Sequence, residues 1–281
     1  MSLQLAIISR DRAAQLDMLL ASLAANTRAT AIACSVLYES TTAAFEAGYA
    51  RVRALHPSAH FERQHLEDLN GQLAACARDA STPFFSLFAD DLVVIRPFDP
   101  ADREFATLLA RDDIAALSLR LNPRVDYSQP LDLKVVPPSF GADRTWRWTV
   151  GGPGIVGKIR RRLRWWARGD WAVPFVLDGN VYRRAAFAKY LCSLPKIPSI
   201  PQLEPMMVAH PPRAPRMLCY AESKIVSLAM NSMDLTHNYP SAGTSLDEIN
   251  GHFLDGRRLA FDTYANLEAQ QCHVPVTPVW A

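Results

Sequence analysis

Pro83-Phe84-Phe85-Ser86-Leu87-Phe88-Ala89-Asp90-Asp91-Leu92-Val93-Val94 drives an apolar run straight into two adjacent carboxylates. Strands covered on both faces of a parallel sheet read as continuous hydrophobic runs, and in open α/β sheets ligands bind just beyond the strands' carboxyl ends. Asp90 and Asp91 therefore stand where a ligand would sit. Carboxylates are hard oxygen donors, and a Mg²⁺ or Mn²⁺ ion held by one or two of them completes its shell with water and substrate phosphates. The same pair also fits a solvated turn or a helix cap.

Upstream of this run the sequence alternates in period. Leu3 to Ser9 reads as a strand, and Leu16, Leu19, Leu20 and Leu23 fall on one helical face. Ala31 to Tyr38 reads as a second strand, followed by a helix with Phe45, Tyr49 and Val52 inward, capped by Ser40, Thr41 or Thr42. A short strand near Ala59 to Glu62 and a helix carrying Leu69, Leu73, Cys76 and Ala80 lead into the Pro83 strand. Alternating units of this kind predict an α/β fold with a mostly parallel sheet flanked by helices.

Downstream, Asp102 to Ala110 reads as a helix and Ile114 to Leu119 as a strand, so regularity runs to about residue 120. Residues 122 to 172 are rich in Pro, Gly, Trp and Arg without clean periodicity, the mark of a functional loop or lid. A further strand is expected to end in Val176-Leu177-Asp178-Gly179-Asn180, then a helix over Arg184 to Leu194 and a proline-dense stretch to Pro215. Ser245-Leu246-Asp247-Glu248 is a capping box opening a helix that Gly256 closes. The 281 residues are read as one domain, regular over 1–120 and elaborated over 121–281.

Thirty basic against twenty-eight acidic side chains leave a net charge of +2, too small to argue for nucleic acid as a partner. Five cysteines without CxxC spacing fit a reduced, cytoplasmic setting, as do the lack of a basic leader and of any run approaching ~20 apolar residues.

The order of these features resembles the GT-A fold glycosyltransferases, and is similar to the bacterial family 2 enzymes. Ser9-Arg10-Asp11-Arg12 resembles the family's opening loop against the donor nucleotide, and Tyr38-Glu39-Ser40 the strand end that holds base or ribose. Asn70-Gly71 and the helix through Arg78-Asp79-Ala80 are similar to the nucleotide-side helix before the metal motif. The family's Asp-x-Asp has Ala89-Asp90-Asp91 as its counterpart, with the first aspartate missing. The resemblance therefore implies Asp91 as metal ligand for Mn²⁺ or Mg²⁺, with Asp90 near the ribose. Asp178-Gly179-Asn180 resembles the Gly-Gly-Asn segment beside acceptor and donor sugar, and Leu203-Glu204-Pro205 resembles the Glu-Asp motif of the catalytic base, with only the Glu present. His237 is similar in position to a histidine that some members send to the metal.

Moving a sugar from a nucleoside diphosphate to a hydroxyl needs one base and one means of neutralising phosphate charge. Glu204 as base and Asp91 with a divalent ion supply both, and a single base acting in line implies inversion. The implied partners are a UDP- or GDP-type sugar and a glycan or lipid-linked acceptor in bacterial surface glycan assembly. Against these roles, Glu204 also reads as a loop carboxylate pairing with Arg213 or Arg216, Asp178 as a turn residue and His237 as a polar loop histidine.

Gly152-Pro153-Gly154-Ile155-Val156-Gly157-Lys158 satisfies most of a P-loop pattern, but Ile159 stands where the Mg²⁺-binding hydroxyl belongs. A glycine-rich hinge for a lid accounts for it better. Lys158 to Arg168 holds six basic residues and no acid, with tryptophans inside and at Trp171. A segment 158–171 of that kind suits peripheral contact with an anionic membrane, a polyanionic glycan or the diphosphate, and equally a solvated helix. A non-catalytic nucleotide-sugar or carbohydrate binder on the same fold is the alternative from another class.

Overall fold

The computed structural model describes residues 1–28, 30–78, 81–138, 146–149 (backbone only), 169–173, 175–210, 216–231 and 243–281. His237, the glycine-rich segment 152–158 and the basic run 158–168 lie outside the described residues.

The opening half follows the alternation of the sequence. β1 (Leu3–Arg10), α1 (Ala13–Asn26), β2 (Ile32–Glu39), α2 (Ala43–Leu55), β3 (His60–Arg63), α3 (Leu69–Arg78) and β4 (Phe84–Ala89) succeed one another. β1 is buried from Leu3 to Ser9 because it pairs in parallel with β2 on one side and β4 on the other. Of the three hydroxyls offered as caps for α2, Thr42 does the work, accepting from the Phe45 amide at 3.3 Å. That satisfies one of the first-turn donors that no helical carbonyl reaches.

β5 (Leu92–Val94), α4 (Arg103–Ala110), β6 (Ile114–Ser118), the hairpin of β7 (Tyr127–Ser128) and β8 (Leu133–Lys134), β9 (Trp146–Thr149) and β10 (Asn180–Arg183) follow. The chain continues through α5 (Arg184–Ser193), α6 (Ile200–Ala209), β11 (Arg216–Cys219), β12 (Ile225–Ala229), α7 (Leu246–Leu254) and β13 (His273–Pro275). Eight strands form the main sheet in the order β3-β2-β1-β4-β10-β6-β11-β9. Only β10 and β9 run antiparallel to their neighbours. β13, β12 and β5 make a separate three-stranded sheet.

Two expectations are corrected here. Val176 to Gly179 form the turn entering β10, which begins at Asn180 where the sequence reading ended a strand. Gly179 takes φ +73°, and a Cβ there would collide with Ile225, so glycine is required by conformation and by space. Leu203-Glu204-Pro205 lies inside α6 instead of a loop. Pro201 sits in the first turn, where its missing N–H costs nothing, whereas Pro205 gives up a hydrogen bond inside the helix.

Core packing covers both sheet faces. Leu3, Leu5 and Ile7 of β1 and Phe84 and Phe88 of β4 pack with α1, α2, α4 and α7. Ala6, Ile8, Phe85 and Leu87 face α3, α5 and α6. The predicted capping box opens α7, Ser245 Oγ accepting from the Glu248 amide, and Gly256 follows its end at φ +103°. No helix among the described residues is long and apolar enough to cross a membrane.

Candidate functional site

The chain leaves β1 for β2 and β3 on one side, then returns to β4 on the other, which opens a crevice at the β1/β4 tips. A cleft of about 200 Å³ lies there, lined by Arg10 and Arg12, Glu39, Gln64, Asp90, Leu177 and the start of α6. Asp11 aims this loop: it takes a left-handed φ of +54°, and its carboxylate accepts from the Thr41 amide and hydroxyl at 2.8 Å each. Those bonds offset the strain of αL backbone outside glycine, where aspartate is among the tolerated residues.

Arg12 then turns back between the aspartates. Its Nη1 lies 3.3 Å from Asp90 Oδ1 and 3.8 Å from Asp91 Oδ2, and its Nη2 donates to the Asn231 carbonyl at 3.1 Å. Burial pushes the Asp90 carboxyl up to about 6, with Arg12 opposing and the Asp91 charge adding. Asp91 is also held above its ordinary value, chiefly by burial, and Ser227 Oγ donates to its Oδ2 at 3.0 Å. Asp91 Oδ1 is closed off from water without a hydrogen-bond partner among the described residues.

A second cluster assembles beside the first. Because β10 is antiparallel, its leading turn reaches the same edge as the tails of β4 and β6. Asp178 Oδ2 thereby meets Arg120 Nη1 at 3.1 Å and His273 Nε2 at 3.2 Å, and the same Arg120 nitrogen lies 3.0 Å from Asp170. Glu204 faces this group from α6. Burial and then the Asp178 charge push Glu204 up to about 8, against Arg120 and His273. Burial alone would raise Asp178 too, but the His273 bond and the Arg120 charge hold it below its ordinary value. Arg216 is committed to Asp113 at 2.9 Å instead of Glu204.

The structure thus brings Arg10, Arg12, Glu39 and Asp90 to the cleft wall, Asp91 behind them against Arg12 and Ser227, and Asp178 to Glu204. Ser9 joins the first group: its Oγ bonds Tyr49 Oη at 2.6 Å and its side chain also hydrogen-bonds Asp90. Two other candidates are placed elsewhere. Ser40 donates to Glu46 at 2.7 Å. Asn70 clamps the loop after α5, donating to the Pro195 carbonyl at 3.0 Å and accepting from the Ile197 amide at 2.8 Å. Arg120, Asp170 and His273 were missed by the sequence reading.

Among the described residues no three His, Cys, Asp or Glu side chains form a ready-made cation cage. The donor set is one carboxylate with an orphaned, buried oxygen, Asp91 Oδ1. It fits an ion that takes a single protein carboxylate and fills its shell from diphosphate and water.

Arg120→Met tests the second cluster. Removing a buried cation leaves Asp170 uncompensated and Asp178 with His273 alone, which costs about 3 kcal/mol, roughly 6–10 °C in Tm. Asp178's contribution is present above its unfolded value near 3.8 and lost as the pH falls through its lower folded value. Thermal melts are therefore expected to show the deficit at neutral pH and a narrower one in acid.

These features define the GT-A class of fold: a mostly parallel sheet flanked by helices, with acidic residues at the tip of β4. No family model and no curated protein matches the chain, but solved structures do. The 1–349 fragment of S. aureus TarS in complex with UDP-GlcNAc aligns at TM-score 0.50 and 13% identity, over 86% of this chain and 62% of the fragment. The chain spans 36% of the longer TarS chain. Mannosyltransferase PcManGT from Pyrobaculum calidifontis with GDP-Man and Mn2+ aligns at TM-score 0.38 and 12% identity, over 78% of this chain and 56% of that one.

Proposed function

We propose that the protein is a glycosyltransferase that takes a sugar from a nucleoside diphosphate donor, of UDP or GDP type, to a hydroxyl acceptor. The observation that carries this reading is the cleft at the β1/β4 tips, walled by Arg10, Arg12 and Asp90, with the Asp178–Arg120–His273 cluster beside it. The two carboxyls of that second cluster diverge, Asp178 held down and Glu204 pushed up. Environments that push paired titratable groups apart assign them acid and base roles. Glu204 is the group matched to proton transfer near neutrality, and Asp178, fixed by Arg120 and His273, is the standing charge that maintains that affinity.

Arg12 and Arg10 meet the donor diphosphate at the β1 tip. Asp91 is the residue that would hold Mn²⁺ or Mg²⁺, which when bound supplies charge neutralisation for the departing diphosphate. His237 remains a further candidate ligand. With Glu204 as single base, the reaction inverts the anomeric carbon; NMR of the first product showing retained configuration would remove that assignment. The nucleotide half is placed at 1–120 and the acceptor half at 121–281, with a glycan or lipid-linked acceptor of bacterial surface assembly as the class.

A thermal-shift screen of UDP and GDP sugars with and without Mn²⁺, followed by an assay of released nucleotide, tests the proposal. Stabilisation that requires nucleotide sugar and Mn²⁺ together is expected, since a ligand that binds only the folded state raises its stability and Asp91 alone is a thin metal site. Mn²⁺ alone is expected to shift nothing. Binding without turnover favours a non-catalytic binder on this fold.

A further inference from the structure

Two arginines of this chain meet buried aspartates in opposite ways. Arg258 grips Asp17 with a fork, Nε at 2.8 Å and Nη2 at 2.7 Å, the geometry in which guanidinium and carboxylate match best. Arg12 forms no such fork. A single nitrogen, Nη1, is divided between Asp90 at 3.3 Å and Asp91 at 3.8 Å, both longer than an ordinary charge-assisted bond. Its Nη2 donates to the Asn231 carbonyl at 3.1 Å, and its Nε is shut away from water without a partner among the described residues. Asp91 Oδ1 is orphaned in the same manner. A buried donor and a buried acceptor left unmade within one ion pair mark an arrangement that folding alone does not favour.

The backbone of Arg12 is fixed. Its amide donates to Tyr49 Oη at 3.3 Å, and its carbonyl accepts from the Leu16 amide at 3.0 Å as α1 begins. The side chain has room to turn, because Arg12 lines the same cleft as Arg10. A change of rotamer, with the main chain still, is enough to carry the guanidinium off the aspartates.

We propose that Arg12 is a resident cation at the Asp90–Asp91 pair, which it leaves only when a divalent ion and a nucleoside diphosphate arrive together. In the resting protein its single charge stands against two carboxylates and closes the approach to Asp91. With both ligands present the guanidinium hands that neutralisation to the ion and turns onto the diphosphate, whose oxygens accept the fork that the two aspartates do not. The inference rests on the reading of the cleft as a nucleotide-sugar site and adds to it the order of loading. Neither ligand alone favours the turned state: the ion alone leaves the guanidinium without an anion, and the diphosphate alone leaves the carboxylates without a cation.

Mn²⁺ binding to the full chain, read from the loss of the free-ion EPR signal, tests this without any turnover. Wild type is expected to take up Mn²⁺ at least roughly 10-fold more tightly with UDP or GDP than alone, the factor by which a site blocked about nine-tenths of the time loses apparent affinity. Arg12→Met keeps the stem and removes the cation. It is expected to bind Mn²⁺ alone roughly 10-fold more tightly than wild type and to lose most of the gain that nucleotide brings. Removing a positive charge would by itself strengthen cation binding, so the position of the side chain is read separately. In a crystal structure of the wild type with Mn²⁺ and whichever of UDP and GDP binds, Nη1 is expected to have left both aspartates for the diphosphate. Arg12→Met binding Mn²⁺ no more tightly than wild type, or Arg12 still bridging Asp90 and Asp91 in the loaded protein, overturns the exchange and leaves glycosyl transfer standing. If the variant misfolds, the loaded wild-type structure decides alone. Wild type that binds neither nucleotide nor Mn²⁺ in any combination overturns both readings.

Discussion

Glu204→Gln is expected to lower kcat by roughly 10³- to 10⁴-fold with little change in KM, because a positioned general base contributes up to about that much. The glutamine keeps the shape of the side chain on α6 and removes only its ability to take a proton. In the wild type, kcat/KM should rise with pH through about 8, the value to which burial and the Asp178 charge push Glu204. The residual activity of the variant should lack that limb. Stability moves the opposite way. A raised carboxyl contributes most below its unfolded value near 4.5, and that contribution is lost as the pH rises through about 8. The glutamine loses nothing, so its stability should match the wild type in acid and exceed it in alkali, by about 1–2 kcal/mol once solvent screening of a partly exposed group is allowed for. Unchanged turnover in a folded Glu204→Gln variant would refute the assignment.

The sheet was legible because burial writes itself into composition. β1 and β4 are covered on both faces, so neither could carry a polar alternation, and the helices between them show their apolar stripes. β10 was misread for a physical reason: four residues long and antiparallel, it is specified by β4 and β6 on either side and not by a pattern of its own. The small sheet of β5, β12 and β13 was missed likewise, since β13 is three residues long and ends in proline.

Within the site, the tip of a buried strand was the informative position, and the rule that singled out Asp90 and Asp91 after β4 applies equally to Arg120, two residues past β6. His273 had no such signal; parallel pairing of Ser227 with His273 brings it in from the far end of the chain. Strand parity separates Ser9 from Arg10. Ser9 shares a face with Leu5 and Ile7, where it meets Tyr49 and Asp90, whereas Arg10 shares the face of Ala6 and Ile8 that opens on the cleft. Glu204 could be picked out by residue type and position, but its shifted proton affinity comes from Asp178, 26 positions upstream and invisible to local pattern.

Asp91→Asn is expected to lose roughly 10²- to 10³-fold in turnover, the scale on which removing one preorganised electrostatic contact to a reacting group is felt. The amide keeps a side-chain oxygen for Ser227 Oγ, which donates to Asp91 at 3.0 Å, so the small sheet should stay intact. Affinity for a nucleoside diphosphate with Mn²⁺ should fall, and affinity without Mn²⁺ should not, which separates loss of the ion's carboxylate from loss of Arg10 and Arg12 contacts. Stability again argues for function. Burial holds Asp91 above its ordinary value, so ionising it works against the fold, and the stability its protonated form contributes is lost as the pH rises through that raised value. The neutral amide removes that burden, and a Tm unchanged or raised by a few degrees is expected. A carboxylate retained only for the architecture of the β4–β5 turn would behave in reverse: Tm would fall and turnover by the remaining folded protein would persist. Measuring both on one preparation therefore decides whether Asp91 is there for the ligand or for the fold.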